Sequence, residues 1–425
     1  MRQTPYNIQH FFEHQTPKGS LLRYFIALIT ATLWLGAQDP LTSQLLSPEQ
    51  REEIRLQQEQ ATLSADILRD SWISTIGLSY GGSFDNKFDL DRQSYTGSIS
   101  IDQPIFKSGG IYFGIRYAQA NAHYAKLGII LQERALIAQV MRTILTLRKM
   151  DIALAQARLA LEDAIDAVAY QRQLLNAGEI DIGQYNSTLI NQNSAQTALW
   201  ELEKSRQESL YTLSQLSSVD YATITLPTLS LLERDTFTTH HIERAQLASD
   251  IAQKEYAAWV TMSNYLPTLS LQAGYNYTVA YNQSLNKEQT AFDVAPTQYL
   301  SYGFKLSMPL AYNALRDIQK SRVDTLLAKT QMQSATRDIE SFYAKSLAKV
   351  KAIESQIALA RDTVALYEVV VAKNADLFAS GELSAITLSQ SRNAQKSKRL
   401  DIDAYTLERQ IELLALYEKR YEAQP

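Results

Sequence analysis

"LLNAGEIDIG", Leu174–Gly183, and "DLFASGELSA", Asp376–Ala385, each interrupt a long, proline-free run of helical character. Their glycines, Gly178 and Gly381, stand 203 residues apart. No proline lies between Pro104 and Pro227, nor between Pro309 and Pro425. Ahead of both glycines the apolar residues keep one register. Val140, Leu147, Leu154, Leu161, Val168 and Leu175 recur every seven residues, and so do Tyr343, Val350, Ile357, Val364, Val371 and Phe378. A sustained seven-residue step predicts helix packed on helix as in a coiled coil, not an isolated amphipathic helix. From Gly110 to Asn176 such a helix would run roughly 100 Å at about 1.5 Å per residue. The chain must then turn back. Gly178 and Gly381 are expected C-cap glycines, able to take the left-handed conformation that a Cβ resists.

The same order of segments surrounds both glycines, which predicts two copies of one unit, residues 38–239 and 240–425. Each begins with a helix, near Pro48–Trp72 and His240–Leu266, that supplies length the return helices lack. Each continues with two alternating strands. Those expected at about 74–84 and 94–106 set Ile76, Leu78, Tyr80, Tyr95, Ile99 and Ile101 against Thr96, Ser98, Ser100 and Asp102. Those expected at about 268–281 and 298–310 set Leu269, Leu271, Tyr275, Leu300, Tyr302, Phe304 and Leu306 against Ser270, Gln272, Asn276, Ser301 and Lys305. The polar stretches 85–94 and 282–297 are expected loops. The apolar strand faces carry no charge, and the strands have about the 9–11 residues that a transmembrane β-strand needs. A soluble half-buried sheet would alternate likewise, but would cover little of a 425-residue chain.

Four strands cannot close a barrel, and open edges in lipid leave backbone groups unsatisfied. Membrane strands on this chain would have to be pooled. Two chains give eight, a barrel filled by its own side chains; three give twelve, with room for a lumen. Composition agrees. The 24 tyrosines outnumber the 12 phenylalanines, and amphipathic rings suit a boundary between water and an apolar phase. The formal charge of −4 offers no basic field, so no nucleic-acid partner is expected. With no cysteine there is no disulfide, thiolate metal site or acylated N-terminal cysteine. "YFIALITATLWLGA", Tyr24–Ala37, is uncharged, follows Lys18 and Arg23, and ends in small residues. It reads as a secretory signal covering 1–37 or, alternatively, as a membrane anchor, though it is short of the roughly 20 residues a span needs.

The doubled order of helix, strand pair, long helix, glycine tip and return helix resembles the TolC-type outer-membrane efflux family. "NYLPTLSLQAGYNY", Asn264–Tyr277, is similar to that family's lead-in to a membrane strand, and "IDQPIFKSGG", Ile101–Gly110, to its way out. "NAGEID" and "ASGELS" look like its two tips. The resemblance implies an α+β membrane protein: a homotrimer with a 12-strand β-barrel in the outer membrane of a Gram-negative bacterium and a coiled-coil α-barrel through the periplasm. It implies a passive exit duct, for efflux or type I secretion, that docks by its tips to a periplasmic adaptor and an inner-membrane pump or secretion transporter. The docking tips would be Ala177, Gly178, Glu179, Ser380, Gly381 and Glu382. Asp181, Gln184, Phe378, Leu383, Thr387 and Gln390 would surround the tunnel entrance. Ser98, Ser100, Asp102, Ser301 and Lys305 would face the barrel lumen.

Departures are visible. "DSWISTIGLSYG" lacks the leucine-proline found at Leu266-Pro267. The positions where some family members carry aspartate rings hold Gln184, Leu383, Thr387 and Gln390, so the resemblance does not extend to a carboxylate-lined gate. Glu179, Asp181 and Glu382 would either ring the mouth or simply solvate it. An enzyme is disfavoured. The five histidines form no ligand spacing, no phosphate-binding glycine loop or nucleophile elbow occurs, and no cofactor is expected. The heptads alone would also fit a non-transporting coiled-coil scaffold of the periplasm.

Overall fold

The computed structural model describes residues 43–87, 90–284 and 292–421; the expected signal segment lies outside them. The chain is mostly helical with one small sheet. After a short 3-10 turn at Ser43–Leu45 come α1 (Pro48–Arg69), β1 (Gly77–Lys87), β2 (Leu90–Phe106), α2 (Gly110–Ala177) and α3 (Ile182–Leu216). Then follow α4 (Arg234–Thr239), α5 (Ile242–Ser263), β3 (Thr268–Ser284), β4 (Phe292–Ser307), α6 (Ala314–Ala379) and α7 (Ala385–Lys419).

The long helices α2 and α6 have 68 and 66 residues, whereas α3 and α7 have 35 each. The shorter α1 and α5, of 22 residues each, precede the sheet. α2 packs against α1, α3, α5 and α7, and α6 packs against α5 and α7. The result is a wall of helices with α1 and α3 at one margin and α6 at the other. Both margins leave apolar side chains uncovered: Ile190 and Trp200 on α3, Leu326 and Leu366 on α6 are each more than half exposed.

The core lies at mid-length. Val140, Ile144 and Leu147 of α2 meet Leu413, Leu414 and Leu416 of α7, Ile339, Tyr343 and Val350 of α6, and Leu213 of α3. A strap joining α3 to α5 crosses this core. Arg148 donates to the Tyr221 carbonyl at 3.1 Å, Gln410 accepts from the Leu229 N–H at 2.8 Å, and the Tyr343 hydroxyl donates to the Leu232 carbonyl at 2.8 Å. Phe237 is fully buried on Phe342 and Tyr343. Each such side chain withdrawn from water contributes about 1.5–3 kcal/mol.

The seven-residue seam is buried from Val140 to Leu154 and from Tyr343 to Val364. Toward the glycines it opens: Leu161, Val168, Leu175 and Val371 are half-buried, and Phe378 is exposed. A second, polar seven-residue step runs beside it on α2 and faces α7. Arg142 pairs with Glu418 at 3.1 Å and Lys149 with Glu408 at 2.7 Å. Gln156 donates to Asp401 at 2.7 Å, and Asp163 accepts from Asn393 at 2.8 Å.

The strands form one antiparallel sheet in the order β1-β2-β3-β4. Their bounds correct the expectation from alternation. β1 starts at Gly77 instead of 74, because the Ser74 N–H is taken by the Gln103 side chain at 2.9 Å. β4 ends at Ser307, before Pro309, which has no N–H to give a ladder. At the other end the expected loops are strand where they are described: β1 and β2 pair through Lys87 and Leu90, β3 runs to Ser284 and β4 starts at Phe292, while 88–89 and 285–291 of those loops lie outside the described residues.

Candidate functional site

Both tips use one backbone device. At the first, Gly178 has φ +76°, and the Glu179 N–H reaches back to the Leu174 carbonyl at 2.9 Å. At the second, Gly381 has φ +79°, and the Glu382 N–H reaches the Leu377 carbonyl at 2.9 Å. This is the left-handed termination that glycine permits. Space is not the constraint, since a Cβ on either glycine would meet nothing within 4 Å. Three residues later each return helix is capped. Asp181 Oδ1 accepts from the Gln184 N–H at 2.8 Å, and Ser384 Oγ from the Thr387 N–H at 3.2 Å. The first of these bonds gives Asp181 a capping role that its charge alone did not suggest. Ser384 belongs to the expected tip stretch, but its capping role was not read, although a serine just before an apolar periodic run is itself a helix-start signal.

Of the other tip residues, Ala177, Glu179, Ser380 and Glu382 are exposed. Gln184, Phe378 and Thr387 are exposed as well, while Leu383 and Gln390 are half-buried. They fall in two groups, one per tip, on separate helix pairs.

The sheet sorts its side chains by face, since residues directly opposite in an antiparallel ladder share a side. One row across the sheet is Leu78, Ile99, Tyr275 and Leu300; another holds Ile101, Ala273 and Tyr302. On the opposite side run Gly77, Ser100, Gly274 and Ser301, then Ser79, Ser98, Asn276 and Tyr299. Hydroxyls pair across the strands there, Ser79 with Ser98 at 2.7 Å and Thr96 with Thr278 at 3.2 Å. Near the helical end Gln272 donates to Asp102 Oδ2 at 2.8 Å, and Lys305 Nζ lies 3.6 Å from the same oxygen. All five residues assigned to a lumen therefore share the polar face. The apolar face is open: Leu78, Tyr302 and Phe304 are about four-fifths exposed.

β1 and β4 have no partner strand on their outer edges among the described residues. No described helix is long and apolar enough to cross a membrane. No described cluster of three or more histidines or carboxylates is placed to hold a metal ion.

Residues 50–218 match the family model for outer membrane efflux protein. The matched segment takes in nearly all of α1, then β1, β2, α2 with its Gly178 tip, and α3. Solved structures extend the likeness to about nine-tenths of the chain. The CmeC outer membrane channel of Campylobacter jejuni superposes with a TM-score of 0.68 at 14% identity, covering 91% of this chain and 86% of that one. The outer membrane protein VceC of Vibrio cholerae gives 0.67 at 12% identity, covering 90% and 96%. The MtrE outer membrane channel of Neisseria gonorrhoeae, in its open state, gives 0.62 at 14%, covering 88% and 87%. No curated protein sequence matches the chain. The resemblance to TolC-type channels carried by the tips and strands is thus met by the efflux-family model and by the fold of known channels.

Proposed function

We propose that this chain is the outer-membrane exit duct of a tripartite efflux or type I secretion system. The observation that carries the proposal is the four-stranded sheet, apolar on one face, polar on the other, with neither outer edge paired among the described residues. In lipid those edges need partners. Three copies joined β4 to β1 would close a 12-strand barrel with the hydroxyl rows inside and the Leu, Tyr and Phe rows toward lipid. The same head-to-tail contact would bring the α6 margin of one copy to the α1 and α3 margin of the next, closing an α-barrel below it.

The two halves, 38–239 and 240–425, would then act as repeats, each giving one strand pair and one helical hairpin. The duct would be passive, with the energy supplied by an inner-membrane pump. Most of the chain would stand in the periplasm of a Gram-negative cell. Ala177, Gly178, Glu179, Ser380, Gly381 and Glu382 would meet the periplasmic adaptor. Asp181, Gln184, Phe378, Leu383, Thr387 and Gln390 would border the entrance, and Ser98, Ser100, Asp102, Ser301 and Lys305 would line the lumen.

The test is the mass of the species extracted from outer membranes by detergent, before and after heating. A heat-labile species near three times the mature chain is expected. A monomer or dimer that leaves the cell envelope without detergent would overturn the duct in favour of a periplasmic coiled-coil scaffold.

A further inference from the structure

Among strand residues whose side chains are described, Asp102 and Lys305 alone carry charge. They sit on β2 and β4, with β3 between them. Asp102 lies opposite Gln272, which in turn lies opposite Gly303. Gly303 offers no side chain, and a Cβ there would meet nothing within 4 Å. Lys305, two residues further on along the same face, brings Nζ to 3.6 Å from Asp102 Oδ2 across β3. Gln272 holds the same oxygen at 2.8 Å. The rest of the described polar face is neutral: serine, threonine, asparagine, glutamine, glycine and Tyr299.

We infer that the Asp102–Lys305 pair is the selectivity-determining element of the barrel: a charge-compensated collar that keeps the lumen from sorting solutes by charge. The inference rests on the duct proposed above. In a closed trimer the pair would occur three times, near the junction of strands and helices, as a ring of opposite charges that cancel. A ring of one sign in a pore admits counter-ions and rejects co-ions, and a low-dielectric wall focuses the field. Cancellation removes that bias. At the proposed entrance Gln184, Thr387 and Gln390 are neutral and Asp181 is acidic, so the variants are compared at a constant entrance charge and any change in selectivity between them belongs to the barrel pair. Both partners are about half exposed, so the pair adds little to stability. Its variants should fold.

The experiment is the reversal potential of purified trimer in a planar bilayer across a potassium chloride gradient. Wild type should show weak preference between potassium and chloride. K305Q, which leaves three carboxylates, should raise the potassium-to-chloride permeability ratio by about twofold or more. D102N should shift the ratio the other way. D102N/K305Q, and the exchange D102K/K305D, should both return to the wild-type ratio. Single variants that conduct with unchanged selectivity would overturn the inference and leave the duct standing. A trimer that inserts but passes no current would overturn the duct itself.

Discussion

The side-chain amide of Asn393 donates to Asp163 Oδ1 at 2.8 Å across the junction of α2 and α7. Asn393 is 3% exposed, and Asp163 is the last member of the polar seven-residue step. Burial raises the Asp163 carboxyl above the ordinary aspartate range; the Asn393 bond works against that shift, and Glu162 and Asp166 add to it. A raised folded-state value means that the folded form binds the proton more tightly. The contribution of Asp163 to stability is therefore full below the ordinary aspartate range and is lost as pH rises through the raised value. Asp163→Asn should remove this dependence and raise stability at neutral pH relative to the charged carboxylate. Asn393→Leu, which strands the carboxylate, should cost about 1–3 kcal/mol. Thermal melts followed by circular dichroism from acid to neutral pH would check both.

His241 gives the opposite sign. It is 3% exposed, edge-on to Phe237 at 5.1 Å, and its backbone forms an isolated antiparallel β-bridge with Arg420. Burial, with a smaller opposing effect of Glu243 and a further lowering by Lys419, depresses its imidazole to about 4. The unfolded chain takes up a proton near 6.5 that the folded chain refuses. Stability is full above that pH and falls as pH drops toward about 4. His241→Phe should flatten this acid slope, which amounts to at most about 3 kcal/mol. Melting temperatures at pH 7 and pH 5 are the measurement.

The tip glycines predict separable effects. Valine at both Gly178 and Gly381 must adopt a left-handed backbone at about 1–2 kcal/mol per site. Export by cells carrying the double variant should be lost while the heat-labile oligomer still forms. Asparagine, which tolerates that conformation, should retain export. Normal export by the valine variant would remove the tips from the mechanism.

The apolar seam should be energetically graded along its length. Leu147 is fully buried, so Leu147→Ala should cost about 2–5 kcal/mol. Phe378 is 45% exposed, and Phe378→Ala should cost well under about 1 kcal/mol in a monomeric chain. Denaturant midpoints of the two variants would show the gradient.

The strap has its own signature. Tyr343→Phe removes only the hydrogen bond to the Leu232 carbonyl and should cost about 0.5–1.5 kcal/mol. Amide exchange should rise in the strap residues before it rises in α2.

The parts of this fold that were readable in the sequence are those with a strict period. The seven-residue step placed α2 and α6, and the two-residue step gave the strand faces, because periodic burial leaves a periodic trace. Gly178 and Gly381 stood out because few other residues accept their backbone. The strap from Ser217 to His241 left no such trace, since its contacts have no repeat: single backbone groups held by side chains of several helices, and an isolated buried Phe237. The polar step Arg142, Lys149, Gln156 and Asp163 was hidden for a different reason. Its members differ chemically, and only their partners on α7 make them a set. The strand ends far from the helices were misplaced because polar strand and polar loop have the same composition.

Thr96 and Thr278 meet in the middle of the sheet, yet they are 182 residues apart along the chain. Joining β2 to β3 therefore requires closing a loop of 182 residues. Until that loop closes, β2 has a bare row of amides and carbonyls on the side where β3 will pair. Such pairings are slow to form, and the waiting edge invites the wrong strand. Time, as much as free energy, is a hazard this chain must survive on the way to its final form.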